Sequence, residues 1–150
     1  MKEIKYRDWT LRVAEVETQR IYKELKQSGA ESCGCTSCLN FIKLREEAYP
    51  DEVKLLISNL GIDIQKEIEI SDFGSLEDGR HLYSGWFHFK GNFDGFNCSS
   101  SMVEGNGHLD LNPISESFSL GFRYANNKTP LKGVEGLVQI EFCCKLAWLD

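Results

Sequence analysis

Leu82-Tyr83-Ser84-Gly85-Trp86-Phe87-His88-Phe89-Lys90 alternates as a strand with one apolar face must. Tyr83, Phe87 and Phe89 fall on one side, and Ser84, Trp86, His88 and Lys90 on the other. Two later stretches repeat the pattern. Phe118, Leu120, Phe122 and Tyr124 oppose Ser117, Ser119 and Arg123. Val138, Ile140, Phe142, Cys144, Leu146 and Trp148 oppose Gln139, Glu141, Cys143 and Lys145. Successive strand side chains point to opposite faces, so these runs predict an antiparallel sheet whose apolar face needs a cover. Candidate strands are 65–71, 82–90, 92–98, 107–112, 117–124 and 137–148. Turn chemistry stands at Phe93-Asp94-Gly95-Phe96 and Glu104-Gly105-Asn106-Gly107.

The cover lies upstream. Trp9, Leu11 and Val13 alternate with Thr10, Arg12 and Ala14, which predicts a strand near 4–13. From Ala14 the period changes, and Ala14, Thr18, Ile21, Tyr22 and Leu25 share one helical face. A helix is expected near 15–27, ended by Gly29, with a loop from there to Gly34. A second helix should start at the cysteines, with Thr36 or Ser37 as N-cap and Cys38, Phe41, Ile42 and Ala48 or Tyr49 at helical spacing. Pro50 suits the first position of a third helix, and Asp51 and Glu52 suit the positive end of its dipole. Val53, Leu56, Ile57 and Leu60 form its apolar stripe; Gly61 fits a left-handed C′ position, with Ile62 making the contact that follows. The predicted class is α+β: an N-terminal strand, a three-helix segment, then a mainly antiparallel sheet packed by the helices. Without a repeat or linker, residues 1–150 read as a single α+β domain.

Charge narrows the partners. The chain of 150 residues carries a net charge of -6, with 11 basic against 13 acidic residues over 1–70 and 6 against 10 over 71–150. Such a chain offers no basic stripe for phosphates, so nucleic acid is not an expected partner. No apolar run approaches the ~18 residues of a membrane span, so no membrane partner is expected either. Met1-Lys2-Glu3-Ile4-Lys5-Tyr6-Arg7-Asp8 has no signal-peptide character, so a cytoplasmic location is expected. The six cysteines are then thiols rather than disulfides, and Asn97-Cys98-Ser99 and Asn127-Lys128-Thr129 are not expected to carry glycans.

Three of those thiols crowd into Cys33-Gly34-Cys35-Thr36-Ser37-Cys38. Thiolates this dense can converge on a soft metal, exchange disulfides, or pack a helix start as small hydrophobes. A zinc site needs four ligands, and Cys33, Cys35 and Cys38 supply three. The fourth must come from far along the chain: His88 first, then Cys143, His81, His108 or Cys98. In the redox alternative a helix N-terminus lowers the pKa of Cys35 or Cys38, and a Cys33–Cys38 disulfide is conceivable. A nucleophilic Cys38 with His88 as base and Asn40 or Glu141 as orienter is a further arrangement. Trp86 and His88 on the mixed sheet face, with Arg123 and Glu141 on other strands, are candidate binding residues for a ligand or partner.

The cysteine stretch with Asn40-Phe41, Leu60-Gly61-Ile62-Asp63 with Glu67, Tyr83 with Gly85-Trp86-Phe87-His88-Phe89 and Gly91, and the closing Gln139-Ile140-Glu141 and Leu146-Ala147-Trp148-Leu149 resemble a family of small bacterial proteins to which no activity attaches. The resemblance spans about residues 6–149 and implies one domain, in which the cysteines, His88 and Glu141 belong to a recurring pattern. Such relatives often have Pro where this chain has Ala147. No phosphate loop follows a strand, no H-E-x-x-H is present, and no carboxylate pair stands out as acid and base. The expected function is therefore a small cytosolic binding protein without catalysis, of bacterial or phage origin, taking a protein or small-molecule partner in an inhibitor or immunity-type role. Zinc is its one candidate cofactor; a thiol-based enzyme or redox sensor using Cys35 or Cys38 is the alternative.

Overall fold

A computed structural model describes residues 1–102, 107–126 and 134–149. Its first departure from expectation is at Arg7, whose φ of 50° turns the chain back on itself. The strand expected over 4–13 is thus a hairpin, β1 (Lys2–Tyr6) and β2 (Trp9–Val13), with Tyr6 opposite Trp9. Two-residue hairpin turns favour positive φ, which Asn-Gly announces and Arg-Asp does not.

The helices follow: α1 (Glu15–Glu24), α2 (Gly29–Cys33), α3 (Thr36–Ala48) and α4 (Asp51–Asn59). Helix α2 occupies the segment expected as loop, so Gly29 begins a helix rather than ending one. In α4 the apolar stripe holds, with Val53, Leu56 and Ile57 buried. Pro50 stands one position earlier than expected, as N-cap. Gly61, at φ 82°, ends the helix; its N–H donates to the Ser58 carbonyl and the Ile62 N–H to the Ile57 carbonyl. Those two bonds satisfy carbonyls that the helix end would otherwise orphan.

Seven strands form one antiparallel sheet in the order β1-β2-β4-β7-β6-β5, with β3 (Glu69–Ser75) also paired to β4 (His81–Asp94). The strands expected at 82–90 and 92–98 are largely one, β4, whose first half pairs with β3 and whose last residues pair with β2. Gly91 makes the second pairing possible, because a Cβ there would lie 1.8 Å from the Arg12 carbonyl oxygen. Strand β3 starts later than the expected 65–71. Of the strand expected at 107–112 only Asn112 lies in a strand, as the first residue of β5 (Asn112–Ser115), an edge strand and so a place where Pro113 is tolerated. Strands β6 (Phe118–Tyr124) and β7 (Leu137–Leu146) follow their alternation closely. Trp148 leaves the sheet and stacks on His81, the rings 4.3 Å apart. Glu104-Gly105-Asn106 and Asn127-Lys128-Thr129 lie outside the described residues.

The helices cover the Tyr83/Phe87/Phe89 side. Phe41 of α3 packs 5.6 Å from Tyr83, and Tyr49 sits 5.8 Å from Phe87 and 5.4 Å from Phe142, ring to ring. The Tyr22 hydroxyl of α1 donates to the His88 carbonyl and accepts its N–H, both at 2.8 Å. Among the described residues, no helix is long and apolar enough to cross a membrane.

Each fully buried aromatic contributes about 1.5–3 kcal/mol, with a cavity penalty added when it is truncated. Phe41→Ala is expected to lower stability by about 3–5 kcal/mol in urea unfolding. Phe73→Ala, at a side chain 68% exposed, should move it by no more than about 0.5 kcal/mol. Equal losses would mean that α3 does not cover the sheet.

Candidate metal centre

The cysteine stretch bends because α2 and α3 meet almost end to end. Ser28 caps α2 in a reciprocal pair with Glu31: its Oγ accepts the Glu31 N–H and its own N–H donates to Glu31 Oε1. The next donor, the Ala30 N–H, goes to Glu67 Oε2 at 3.1 Å. Glu67 is buried and charge-paired with Arg45 of α3, Nη2 to Oε1 at 3.0 Å, while Arg45 also donates to Ser28 Oγ. Burial raises the Glu67 pKa, and the Ala30 N–H and Arg45 oppose that rise. Gly29 is required at this junction, since a Cβ would lie 2.7 Å from the Ile68 carbonyl oxygen.

From that anchored start α2 runs one turn to Cys33. Gly34, at φ 67°, reverses the chain and gives its N–H to the Ala30 carbonyl. Cys35 then holds the N-cap of α3, where Thr36 or Ser37 was expected. Ser37 has other work: its hydroxyl donates to Asp72 at 2.8 Å. The helix start is tied to the sheet and to the chain end. Tyr83 donates to the Ser37 carbonyl, Asn40 donates to the Tyr83 hydroxyl and the Ala147 carbonyl, and the Leu149 N–H donates to Asn40 Oδ1.

This frame brings the Cys33, Cys35 and Cys38 sulfurs within 4.8 Å of one another. A tetrahedral zinc with Zn–S near 2.3 Å spaces its sulfurs at about 3.8 Å, so small side-chain rotations close the set. Cys33 and Cys35 are exposed and Cys38 is buried. The Cys38 N–H, then the thiols of Cys33 and Cys38, hold the Cys35 pKa below the ordinary thiol value, although the contact is too loose to count as a cap hydrogen bond. Burial raises the Cys38 pKa, and the two neighbouring sulfurs add to the rise. Three thiolates here repel one another, and a soft divalent cation reverses that repulsion.

The expected distal ligands lie elsewhere. His88 extends on the sheet face away from the helices, where its Nε2 meets Gln139 Oε1 at 2.8 Å. Apolar packing took the Phe87 face to the helices, and alternation took His88 to the other side. Cys143 shares that far face opposite Ser84, Cys144 is in the core, and Cys98 packs where Gly121 lacks a side chain. His108 is exposed beside Asp110. His81 reaches the centre only through intermediaries, its Nδ1 lying 2.8 Å from Asp72 Oδ2. The candidate binding residues divide as well. His88 and Glu141 are buried and joined through Gln139, whereas Trp86 and Arg123 are half-buried. Burial lowers the His88 pKa and raises that of Glu141.

The residues that build the centre without ligating are Ser28, Arg45, Glu67, Asp72 and Asn40. Ser28-Gly29-Ala30-Glu31 has capping-box spacing in the sequence, although no apolar run follows it to mark a helix. Nothing local announces Arg45 or Asp72, and Glu67 stands out only in the resemblance, beside Leu60-Gly61-Ile62-Asp63. No family model, curated protein or solved structure matches this chain.

Arg45→Ala strands Glu67 in the interior and is expected to remove about 3–5 kcal/mol of stability; an unchanged urea midpoint would show that the pair does not anchor α2. Glu141 gives a pH test. Because its folded pKa lies above 4.5, its stabilising contribution is complete below that pH and lost as pH rises through the folded pKa. His88, with its folded pKa below 6.5, works oppositely, adding stability as pH rises toward that value. Glu141→Gln removes the first effect alone. The stability of the native chain minus that of the variant should fall as pH rises above 4.5; a flat difference would refute the assignment.

Proposed function

We propose that this chain is a non-catalytic binding protein whose Cys33, Cys35 and Cys38 thiols hold one zinc ion. The observation that carries the reading is the convergence of three sulfurs within 4.8 Å on two helix ends fixed by buried polar contacts. Zinc would supply a cross-link there, fastening the exposed end of α2 to the start of α3. A protein or small-molecule partner, met in the cytoplasm in an inhibitor or immunity-type role, agrees with the net charge of -6, which disfavours nucleic acid. The resemblance of the cysteine stretch to a family of small bacterial proteins is compatible with this reading and supplies no activity.

Elemental mass spectrometry of the tag-free protein should find about one zinc per chain, lost from each of Cys33→Ser, Cys35→Ser and Cys38→Ser. Zinc retained in all three variants would overturn the reading. One observation favours a second reading, a thiol-based enzyme or redox sensor: exposed Cys35 sits directly beside buried Cys38 at a helix start. In that case a metal-free chain would show Cys35 alkylating far faster than the other thiols; uniformly slow labelling speaks against it.

A further inference from the structure

Cys33, Cys35 and Cys38 are all free thiols, and their sulfurs lie within 4.8 Å of one another. Among the described residues, no fourth His, Cys, Asp or Glu joins that group. Asp72, tied to the start of α3, is taken up by the Ser37 hydroxyl, the Gly74 N–H and His81. Glu67 is taken up by the Ala30 N–H and Arg45. The centre therefore offers three like donors and stops there.

Divalent and trivalent ions use such a set differently. Zinc seeks four ligands, and three thiolates on it leave the centre at about -1. Arsenic(III), which carries a lone pair, completes its shell with three sulfurs in a pyramid, and its charge cancels theirs. Thiolates are the soft ligands such an ion prefers. No net charge is then left beside the buried Cys38. Access suits the same ion. Cys33 and Cys35 are exposed, so an incoming molecule meets them first and buried Cys38 closes the set. Gly34 between the first two packs against nothing where a side chain would stand, which leaves them room to adjust. Arsenous acid, As(OH)3, is uncharged near neutral pH, so the chain's net charge of -6 does not repel it as it would an anion such as phosphate.

We propose, resting on the ligand set of the zinc reading rather than on zinc itself, that Cys33, Cys35 and Cys38 capture trivalent arsenic from As(OH)3 as a three-sulfur adduct. Three As–S bonds form and three As–O bonds break, and each thiol proton leaves with a hydroxide as water. Arsenic stays trivalent and no sulfur is oxidised, so no oxidant or reductant is consumed. The same sulfurs cannot hold zinc at the same time, so zinc leaves as arsenic enters.

The test uses the full chain, metal-free and reduced with a phosphine, which offers arsenic no thiol of its own. Arsenite should raise the intact mass by one arsenic less three hydrogens per chain. Arsenic K-edge absorption should show three sulfur scatterers and no oxygen. Cys35→Ser should weaken uptake at least ~10-fold, because the third As–S bond forms within the chain at high effective concentration. Cys35 is exposed and makes no cap hydrogen bond, so that change reads ligation rather than folding. Cys143→Ser, on the far sheet face, should leave uptake unchanged. On the zinc-loaded chain the adduct should form with loss of the zinc. No adduct on a chain that does bind zinc, an oxygen in the arsenic shell, undiminished uptake by Cys35→Ser, or zinc and arsenic held together would each overturn the proposal and leave the zinc reading standing. The three-sulfur adduct on a chain that takes up no zinc would uphold it and remove zinc alone.

Discussion

The buried contact between Arg45 and Glu67 governs what this chain can do at its cysteines. Glu67 has no exposed side-chain surface, and one of its oxygens accepts the Ala30 N–H at the start of α2 while the other faces Arg45 of α3. A buried carboxylate is costly unless paired and hydrogen-bonded, so the contact fixes geometry more than it adds stability. It sets where a one-turn helix begins, and therefore where that helix delivers Cys33. Shift α2 by one residue, and Cys33 rotates about 100° away from Cys35 and Cys38. The α2–α3 corner is thus held from inside the core, while two of its three sulfurs stay exposed.

The two sheet faces divide the labour. The side carrying Tyr83, Phe87, Ile140 and Phe142 binds the helices and orients the cysteine corner through Tyr83 and Asn40. The other side carries a chain of polar side chains, His88 to Gln139 to Glu141, with Cys98 lying over Gly121. Both titratable groups there are shifted by burial toward their neutral forms, which favours a structural role over an exposed binding surface.

Much of this was legible from residue order. The alternation from Tyr83 to Phe89 located the central strand, and the Val53–Leu60 stripe with Gly61 located α4 and its end. The same alternation already contained the reason His88 cannot accompany the helices: it points opposite to Phe87. What sequence could not show depends on long-range placement. Arg7 adopts a positive φ that its residue type does not advertise, turning one expected strand into a hairpin. Gly29 reads as a helix terminator, yet it is small because the Ile68 carbonyl lies against it. Ser37 reads as a cap, but Asp72, a sheet residue 35 positions later, takes its hydroxyl and leaves Cys35 to begin α3.

The proposed zinc would take three sulfur ligands from one chain and a light atom as its fourth. Zinc K-edge X-ray absorption on the loaded protein reads that first shell directly. Three sulfur scatterers near ~2.3 Å with a single nitrogen or oxygen scatterer are the expected result. Four sulfurs per zinc, or a shell of light atoms alone, would contradict it.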